Sequence, residues 1–157
     1  MSRIIEILNF EEGYREAPYW DTRNFPTVAG GIRIGPQNAP LNQYQFTVPR
    51  RAGDVWKQCL VDAKTASMNR QPAIVAALAQ CNDARRDILI LYSMAYQMGI
   101  TGLTDFVNTL DLISRGDFAG AARAMLNSLW ARQTPNRACR HAEVMRTGTY
   151  DAYKGLI

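Results

Sequence analysis

The pattern of apolar and polar positions changes twice along the chain, first near residue 13 and again near residue 49. Isoleucine and leucine residues between positions 4 and 8 share one face at helical spacing; Ser2 can cap this helix and Gly13 can end it. From Tyr19 to Ile34, aromatic residues, prolines and turn formers such as Asn24 predict short antiparallel strands. A loop rich in proline, asparagine and glutamine follows as far as Pro49.

The pattern is helical from Pro49 to the end of the chain. It predicts a long helix from Arg50 to about Met68, a helix that begins near Pro72, and a central buried helix capped by Asp83. Shorter helices are predicted over Asp105–Ser114, Phe118–Asn127, Leu129–Gln133 and Pro135–Arg146. The fold class is therefore α+β: a small β-containing N-terminal lobe, a long connecting helix and a larger helical C-terminal lobe. A ligand is expected in a cleft between these lobes.

The length of 157 residues predicts a single domain, residues 1–157. Within it, residues 13–49 would form the β lobe and residues 50–157 the helical lobe, with residues 1–12 packed on the helical lobe. The apolar content of 47% is sufficient for a packed core. No apolar run is long enough to cross a bilayer, and the first residues lack the apolar region of a signal peptide. We expect neither a signal peptide nor stable membrane insertion.

The cysteine and histidine content argues against metal and nucleophilic sites. Cys59, Cys81 and Cys139 are odd in number and far apart, which favours reduced thiols over a disulfide framework. His141 is the only histidine and no CxxC pair occurs, so no metal site, no histidine-based triad and no cofactor are expected. His141 itself is expected at the surface or at a helix terminus.

The charge distribution bears on the expected partner of the protein rather than on its expected fold. The net charge is +4, yet the segment up to Pro49 holds four arginines against five carboxylates, so the positive charge lies in the helical part. A basic body of this kind suits an anionic partner such as nucleic acid, a membrane surface or a bacterial wall. Charge alone does not choose among these partners.

The segment EEGYREAPYWDTRNFPT carries a candidate acid and a candidate base. Glycoside hydrolysis needs one protonated carboxyl group and one ionised carboxylate. Glu11 and Glu12 both fall near the apolar face of the first helix, so either could serve as the acid, and periodicity does not distinguish them. Asp21 lies in a polar turn region and suits the base, and Thr27 has a hydroxyl that could orient water.

Three segments resemble the T-even-type phage lysozymes, the endolysins of glycoside hydrolase family 24. EGYREAPYWDTRNFPT resembles their catalytic segment, and its spacing selects Glu12, Asp21 and Thr27. WARQTPNRACRHAEVMRTGTYDAYKGL resembles their C-terminal signature, and AYQMGITGL resembles their central helix. The resemblance spans nearly the whole chain and is weakest from Ile32 to about Gln80.

The resemblance implies a lysozyme-like fold and a reaction. The bond cleaved would be the β-1,4 bond between N-acetylmuramic acid and N-acetylglucosamine in peptidoglycan, by single displacement with inversion. Glu12 would protonate the glycosidic oxygen, and Asp21 and Thr27 would position and activate water. The residues implied in substrate binding are Tyr96, Thr109, Gly31 and Arg137. Arg137 would in addition pair with the catalytic Glu12 across the cleft.

The resemblance also implies a place of action. The protein would be a monomer made in the host cytoplasm, and it would reach the periplasm or cell wall after holin-mediated release. Peptidoglycan would be its partner, and nucleic acid would not. Host lysis would follow from wall cleavage.

Departures from the family pattern keep other functions open. Ile32 stands where the family has the histidine of Gly-x-Gly-His, Ala124 where it has a sugar-contacting asparagine, and Asn24 where it has a glycine. Pro26 directly precedes Thr27. These changes motivate a second hypothesis, a lysozyme-like protein that binds wall glycan or serves in a virion without turnover. A third hypothesis, a helical nucleic-acid-binding module, rests on arginine pairs and has no recognised motif.

Overall fold

The computed structural model describes residues 1–97 and 103–157, with the side chains of all of these except residues 96, 97, 103 and 104. The α-helices of the described residues are α1 Ile4–Glu12, α2 Arg50–Met68, α3 Pro72–Leu78, α4 Asp83–Gln97, α5 Leu103–Ser114, α6 Phe118–Leu126, α7 Leu129–Gln133 and α8 Pro135–Thr147. The strands are β1 Arg15–Trp20, β2 Pro26–Ala29 and β3 Ile32–Arg33. Single turns of 3₁₀ helix occur at Leu41–Gln43 and Asp151–Tyr153. Within these described ranges, no helix is both long and apolar enough to cross a membrane.

Local signals in the sequence account for several helix ends. The Ser2 hydroxyl accepts a hydrogen bond from the Ile4 amide at 3.4 Å, as expected for a cap of α1. Helix α1 ends directly before Gly13, whose positive φ of 75° is the left-handed conformation that glycine tolerates best. Pro72 is the first residue of α3, where a missing amide costs no helical hydrogen bond.

The cap of α4 differs from the prediction. Asp83 was expected to cap this helix, but it is the first helical residue, and the Asn82 side chain accepts the hydrogen bond from the Arg85 amide at 3.1 Å. Asp83 instead binds the N-terminal ammonium group of Met1 at 2.5 Å. The cap therefore lies one residue earlier, because the carboxylate of Asp83 has a tertiary partner.

The chain divides into two compact units. One consists of Ile5–Ala63, and the other of Met1–Ile4 together with Lys64–Ile157. The first therefore contains the sheet, most of α1 and the larger part of α2, and the second contains the remaining helices. The predicted assignment of residues 1–157 to a single domain, with residues 1–12 on the helical lobe, stays a prediction.

In the first unit, the three strands form an antiparallel sheet in the order β1-β2-β3. The register pairs Tyr19 with Thr27 and Val28 with Ile32, and an irregularity interrupts the β1–β2 ladder between Arg15 and Tyr19. The short strands predicted between Tyr19 and Ile34 are confirmed, although β1 begins earlier, at Arg15.

Ile32 belongs to the apolar core of this first unit. It is 3% exposed and packs with Val28 and Ala29, and the partly buried Tyr14 and Val48 lie against this cluster. The residue that stands at the expected histidine position is therefore a core residue, and burial of its apolar side chain contributes about 1.5–3 kcal/mol to folding.

In the second unit, aromatic rings form a continuous buried group. The ring centroids of Tyr92 and Trp130 are 5.1 Å apart in an edge-on arrangement, and Trp130 lies 5.6 Å from the ring of His141. His141 is fully buried and contacts Tyr153 on its other side. The prediction that His141 lies at the surface or a helix terminus is therefore wrong, because its side of α8 is the side that packs into the core.

The N-terminal residues of the second unit are anchored by a buried carboxylate. Asp87 accepts hydrogen bonds from the Ser2 hydroxyl at 2.7 Å, the Arg3 amide at 2.8 Å and the Tyr150 hydroxyl at 2.5 Å. Burial of the phenol raises the pKa of Tyr150 above its usual value, and the hydrogen bond to Asp87 raises it further. The cysteines are free thiols, as expected, and burial raises the pKa of Cys81 to about 11.

Candidate active site

The Glu12 carboxylate lies at the C-terminal end of α1 beside a buried lysine of α2. Its Oε2 atom is 3.9 Å from the Lys57 ammonium nitrogen. The Glu12 side chain is 30% exposed and the Lys57 side chain only 9%. A carboxylate at a helix C-terminus is unfavourable in the field of the helix dipole, so a neighbouring cation offsets part of that cost.

The backbone of Gly31 passes directly against Glu12. A Cβ atom added at Gly31 would overlap the Oε2 atom of Glu12, and the φ angle of Gly31 is +83°. Both the close approach and the left-handed backbone favour glycine at this position. The predicted site residue Gly31 therefore lies beside the predicted acid, in the turn between β2 and β3.

Asp21 follows β1 and organises the turn that leads into β2. Its Oδ1 atom accepts hydrogen bonds from the amides of Arg23 and Phe25, each at 2.9 Å. Asn24 adopts the left-handed conformation at φ 64°, which asparagine tolerates better than most residues. Among the described residues, no hydrogen bond reaches the second oxygen, Oδ2, so that oxygen is available to a water molecule.

Thr27 is a buried residue of β2 whose hydroxyl has a defined role in the turn. It is 3% exposed, and its Oγ1 atom donates to the Phe25 carbonyl oxygen at 2.8 Å. Because its hydrogen is used in this way, the hydroxyl can offer only its lone pairs to a water molecule. Any contact of Thr27 with a reacting water would thus be one in which Thr27 accepts.

Tyr19 connects the predicted acid and the predicted base. It stands opposite Thr27 in the β1–β2 ladder, and the Arg15 guanidinium lies 4.5 Å from the centre of its ring. Burial raises the pKa of the Tyr19 phenol, the negative charges of Glu12 and Asp21 raise it further, and the positive charge of Arg15 opposes them. Both carboxylates are therefore close enough to act electrostatically on one phenol.

The remaining predicted site residues belong to the second unit. Thr109 is fully buried in α5, and its hydroxyl donates to the Asp105 carbonyl one turn earlier in the helix, at 2.9 Å. Arg137 is half-buried in the first turn of α8, and its charge helps to lower the pKa of His141. The side chain of Tyr96 lies outside the described residues. A role of these three residues in substrate binding, and the pairing of Arg137 with Glu12, stay predictions.

Lys57 and Tyr19 were not among the predicted site residues. The signal for Lys57 was present in the sequence, since Gly53, Lys57 and Val61 recur at a spacing of four on the buried face of α2. A lysine in the middle of such a face requires a partner for its charge. The sequence holds no comparable signal for Tyr19, because its contribution depends on the register of β1 and β2.

Known proteins similar to this chain carry lysozyme names. No protein-family model matches the chain. It is 28% identical to probable T4-type lysozyme 1 of Dictyostelium discoideum, over 98% of this chain and 99% of that protein. It is 39% identical to probable T4-type lysozyme 2 of the same organism, over 42% of this chain and 39% of that protein.

A further relative is a phage structural protein. The chain is 28% identical to the pre-baseplate central spike protein Gp5 of Enterobacteria phage T4, over 96% of this chain but only 28% of that protein. Together with the helices and the antiparallel sheet, these similarities confirm the predicted α+β fold and the resemblance to the phage lysozymes. The names of the relatives support a lysozyme-like function.

Proposed function

Because this chain is a relative of the T4-type lysozymes over nearly its whole length, we propose that it is a glycoside hydrolase of bacterial peptidoglycan. The bond cleaved is the β-1,4 bond between N-acetylmuramic acid and N-acetylglucosamine, and Glu12, Asp21 and Thr27 are the catalytic residues. The observation that carries the proposal is that Glu12, with the Gly31 turn packed directly against its carboxyl group, and Asp21, in the turn between β1 and β2, belong to one compact unit. Glycoside hydrolysis requires an acid and a base that flank the scissile bond, and helix α1 and the β1–β2 turn supply one carboxyl group each.

The proposed reaction is a single displacement. Glu12 gives its proton to the glycosidic oxygen, and the bond from that oxygen to the anomeric carbon breaks with its electron pair left on the oxygen. A water molecule adds to the anomeric carbon from the opposite face and transfers a proton to Asp21. Thr27 accepts a hydrogen bond from this water, since its own hydrogen is given to the Phe25 carbonyl. The configuration at the anomeric carbon is inverted.

The proposal is tested by the release of reducing ends from purified Gram-negative peptidoglycan. We expect the wild-type protein to release them and Glu12→Gln to be slower by roughly 100- to 10,000-fold, the usual contribution of a general acid. Glu11→Gln is the matched control, because it removes the neighbouring carboxylate from the same helix end. If wild-type protein that is shown to be folded releases no reducing ends, the proposed function is wrong.

The stereochemical part is tested separately. Proton NMR of the product, recorded before mutarotation, distinguishes the two anomers at the new reducing end. We expect the α-anomer to appear first, because a β bond is cleaved with inversion. An initial β-anomer would show retention, and Asp21 would then act as a nucleophile instead of a base.

The biological part of the proposal is that the protein is a phage endolysin that lyses the host from within. It would be made in the host cytoplasm and reach the wall through a holin. We expect a Gram-negative culture that expresses the chain to lyse rapidly only when a holin is co-expressed, and Glu12→Gln not to lyse in either case. Lysis without a holin would contradict the proposed route of release.

A second candidate function is that of a virion component, with or without turnover. Its support is the similarity to the central spike protein Gp5, which extends over 96% of this chain. In that case the chain would be recovered at stoichiometric amounts from gradient-purified particles, as measured by quantitative mass spectrometry. Recovery only from the soluble lysate, together with turnover that Glu12→Gln abolishes, would eliminate this candidate.

A further inference from the structure

Two polar pairs join α1 to α2 at corresponding positions. The Asn9 side-chain amide donates to the Asp54 carboxylate at 2.6 Å, and one helical turn later the Glu12 carboxylate lies 3.9 Å from the Lys57 ammonium. Both helices advance by three residues from the first pair to the second. Helices α1 and α2 therefore run in the same direction where these pairs form, and one face of α1 contacts one face of α2 through both pairs.

Two consecutive glycines of the turn between β2 and β3, Gly30 and Gly31, lie against Asn9 and Glu12 of α1. A Cβ atom added at Gly30 would overlap the Oδ1 atom of Asn9, and one added at Gly31 would overlap the Oε2 atom of Glu12. The Glu12 carboxylate is thus enclosed by backbone on one side and by a lysine on another. Its orientation is set by packing as well as by charge.

Lys57 carries its charge on the buried face of α2, and a charge in that position requires an explanation. Gly53 and Val61, one turn before and one turn after it on α2, are buried. An apolar residue at position 57 would bring no buried charge, whereas a buried ammonium group is unfavourable unless a carboxylate lies nearby. A lysine at this position is thus explained by the charge of Glu12 and not by the requirements of packing.

We propose that Lys57 is a positioning residue for the catalytic acid, which holds the Glu12 carboxyl group in place and stabilises the carboxylate formed when its proton leaves. This inference rests on the proposed function of Glu12. The groups near Glu12 include Lys57 from α2, the Tyr19 phenol from β1 and the Gly31 backbone. Of these three, Lys57 alone supplies a positive charge.

The Lys57 charge acts at the step in which the proton leaves Glu12. As the proton passes from Glu12 to the glycosidic oxygen, negative charge develops on the Glu12 oxygens beside the Lys57 ammonium. General acid catalysis starts from the form of the enzyme in which Glu12 carries its proton, so a preorganised cation at that place interacts more strongly with the transition state than with this reactive form. Loss of Lys57 should therefore lower kcat and leave KM nearly unchanged.

The test is the kinetics of Lys57→Met on peptidoglycan, with Lys64→Met as the matched control. Lys64 is an exposed lysine of the same helix, so both variants lose one positive charge and keep the helix propensity. We expect kcat to fall about 10- to 100-fold in Lys57→Met, the range typical of a displaced catalytic group, and to be unchanged in Lys64→Met. Lys57→Arg, which keeps the charge, should retain more activity than Lys57→Met.

The alternative outcomes are distinct. An active wild type with an unchanged kcat in folded Lys57→Met overturns the role of Lys57 and leaves the proposed function standing. Equal losses in Lys57→Met and Lys57→Arg would show that Lys57 is only structural and would also overturn it. An inactive wild type contradicts the proposed function itself.

If Lys57→Met does not fold, NMR replaces the kinetic test. The ¹⁵Nζ resonance of Lys57 is compared between the wild type and Glu12→Gln. A shift of this resonance, with the resonance of Lys64 unmoved, supports the pairing. An unmoved Lys57 resonance overturns it.

Discussion

Asp21 and Phe25 close the turn between β1 and β2 through two hydrogen bonds. The Asp21 amide donates to the Phe25 carbonyl oxygen at 3.0 Å, and the Phe25 amide donates to the Asp21 Oδ1 atom at 2.9 Å. The side chain proposed as the base is therefore also part of the turn that positions it. Chemistry and turn geometry can be separated by mutation, because an asparagine oxygen accepts the same hydrogen bonds without being a base.

The first prediction concerns this separation. Asp21→Asn should keep the free energy of unfolding nearly unchanged and reduce peptidoglycan turnover by roughly 100- to 10,000-fold. Asp21→Ala should lose similar activity and, in addition, about 1–3 kcal/mol of stability, because the amides of Arg23 and Phe25 lose their acceptor. Urea denaturation and reducing-end assays of both variants provide the comparison. Equal stability of the two variants would mean that the turn does not depend on the carboxylate oxygen.

The second prediction concerns the contact between Gly31 and Glu12. Gly31→Ala places a methyl group where the Glu12 carboxylate lies, so activity should fall about 100-fold as the acid is displaced. Gly116→Ala is the control, since Gly116 has a similar positive φ of 76° but no atom within 4 Å of an added Cβ. Both variants should lose about 1–2 kcal/mol of stability from the left-handed backbone. A Gly116→Ala variant as inactive as Gly31→Ala would indicate a general loss of structure.

The third prediction concerns the hydroxyl group of Thr27. Thr27→Val keeps the shape of the buried side chain but removes one of the two hydrogen bonds that the Phe25 carbonyl accepts, which should cost about 0.5–1.5 kcal/mol of stability because the Asp21 amide still donates to it. Turnover should fall as well, because the acceptor for the reacting water is lost. Thr27→Ser should keep both the hydrogen bond and most of the activity. The proposed role of Thr27 is excluded if Val and Ser variants of equal stability turn over at equal rates.

The fourth prediction concerns pH and His141. Burial lowers the pKa of His141 well below its usual value of 6.5, and the charges of Arg137 and Arg140 lower it further. Below pH 6.5 the unfolded chain therefore binds a proton that the folded protein does not, and the free energy of unfolding falls as pH falls. One such group contributes at most about 1.4 kcal/mol per pH unit.

The measurement is urea denaturation of the wild type and His141→Leu between pH 7.5 and pH 5. Subtracting the two curves removes the contributions of the other titrating groups. The stability of the wild type relative to His141→Leu should decline steadily below pH 6.5. A constant difference over this range would show that the histidine is protonated equally in the folded and unfolded states.

Local features of the sequence were sufficient for the elements of the fold. The bounds of α2 at Arg50 and Met68, the beginning of α3 at Pro72 and the turn at Asn24 all agree with the prediction. Each depends on residues adjacent in the chain: a proline at a helix start, a turn former after a strand, or an apolar face at helical spacing.

The environment of each side chain could not be predicted in this way. Periodicity left Glu11 and Glu12 equivalent, whereas in the structure Gly31 and Lys57 lie against Glu12. His141, expected at the surface, is fully buried, because α8 turns that side towards aromatic rings from other helices.

The pairs that build the candidate site are far apart in the chain. Asn9 and Asp54 are separated by 45 residues, as are Glu12 and Lys57. Helical periodicity describes which face of each helix is apolar, but it contains no information on which residues of two helices will meet. That choice follows from the close approach of α1, α2 and the glycine turn between β2 and β3, where backbone geometry and the burial of charge act together.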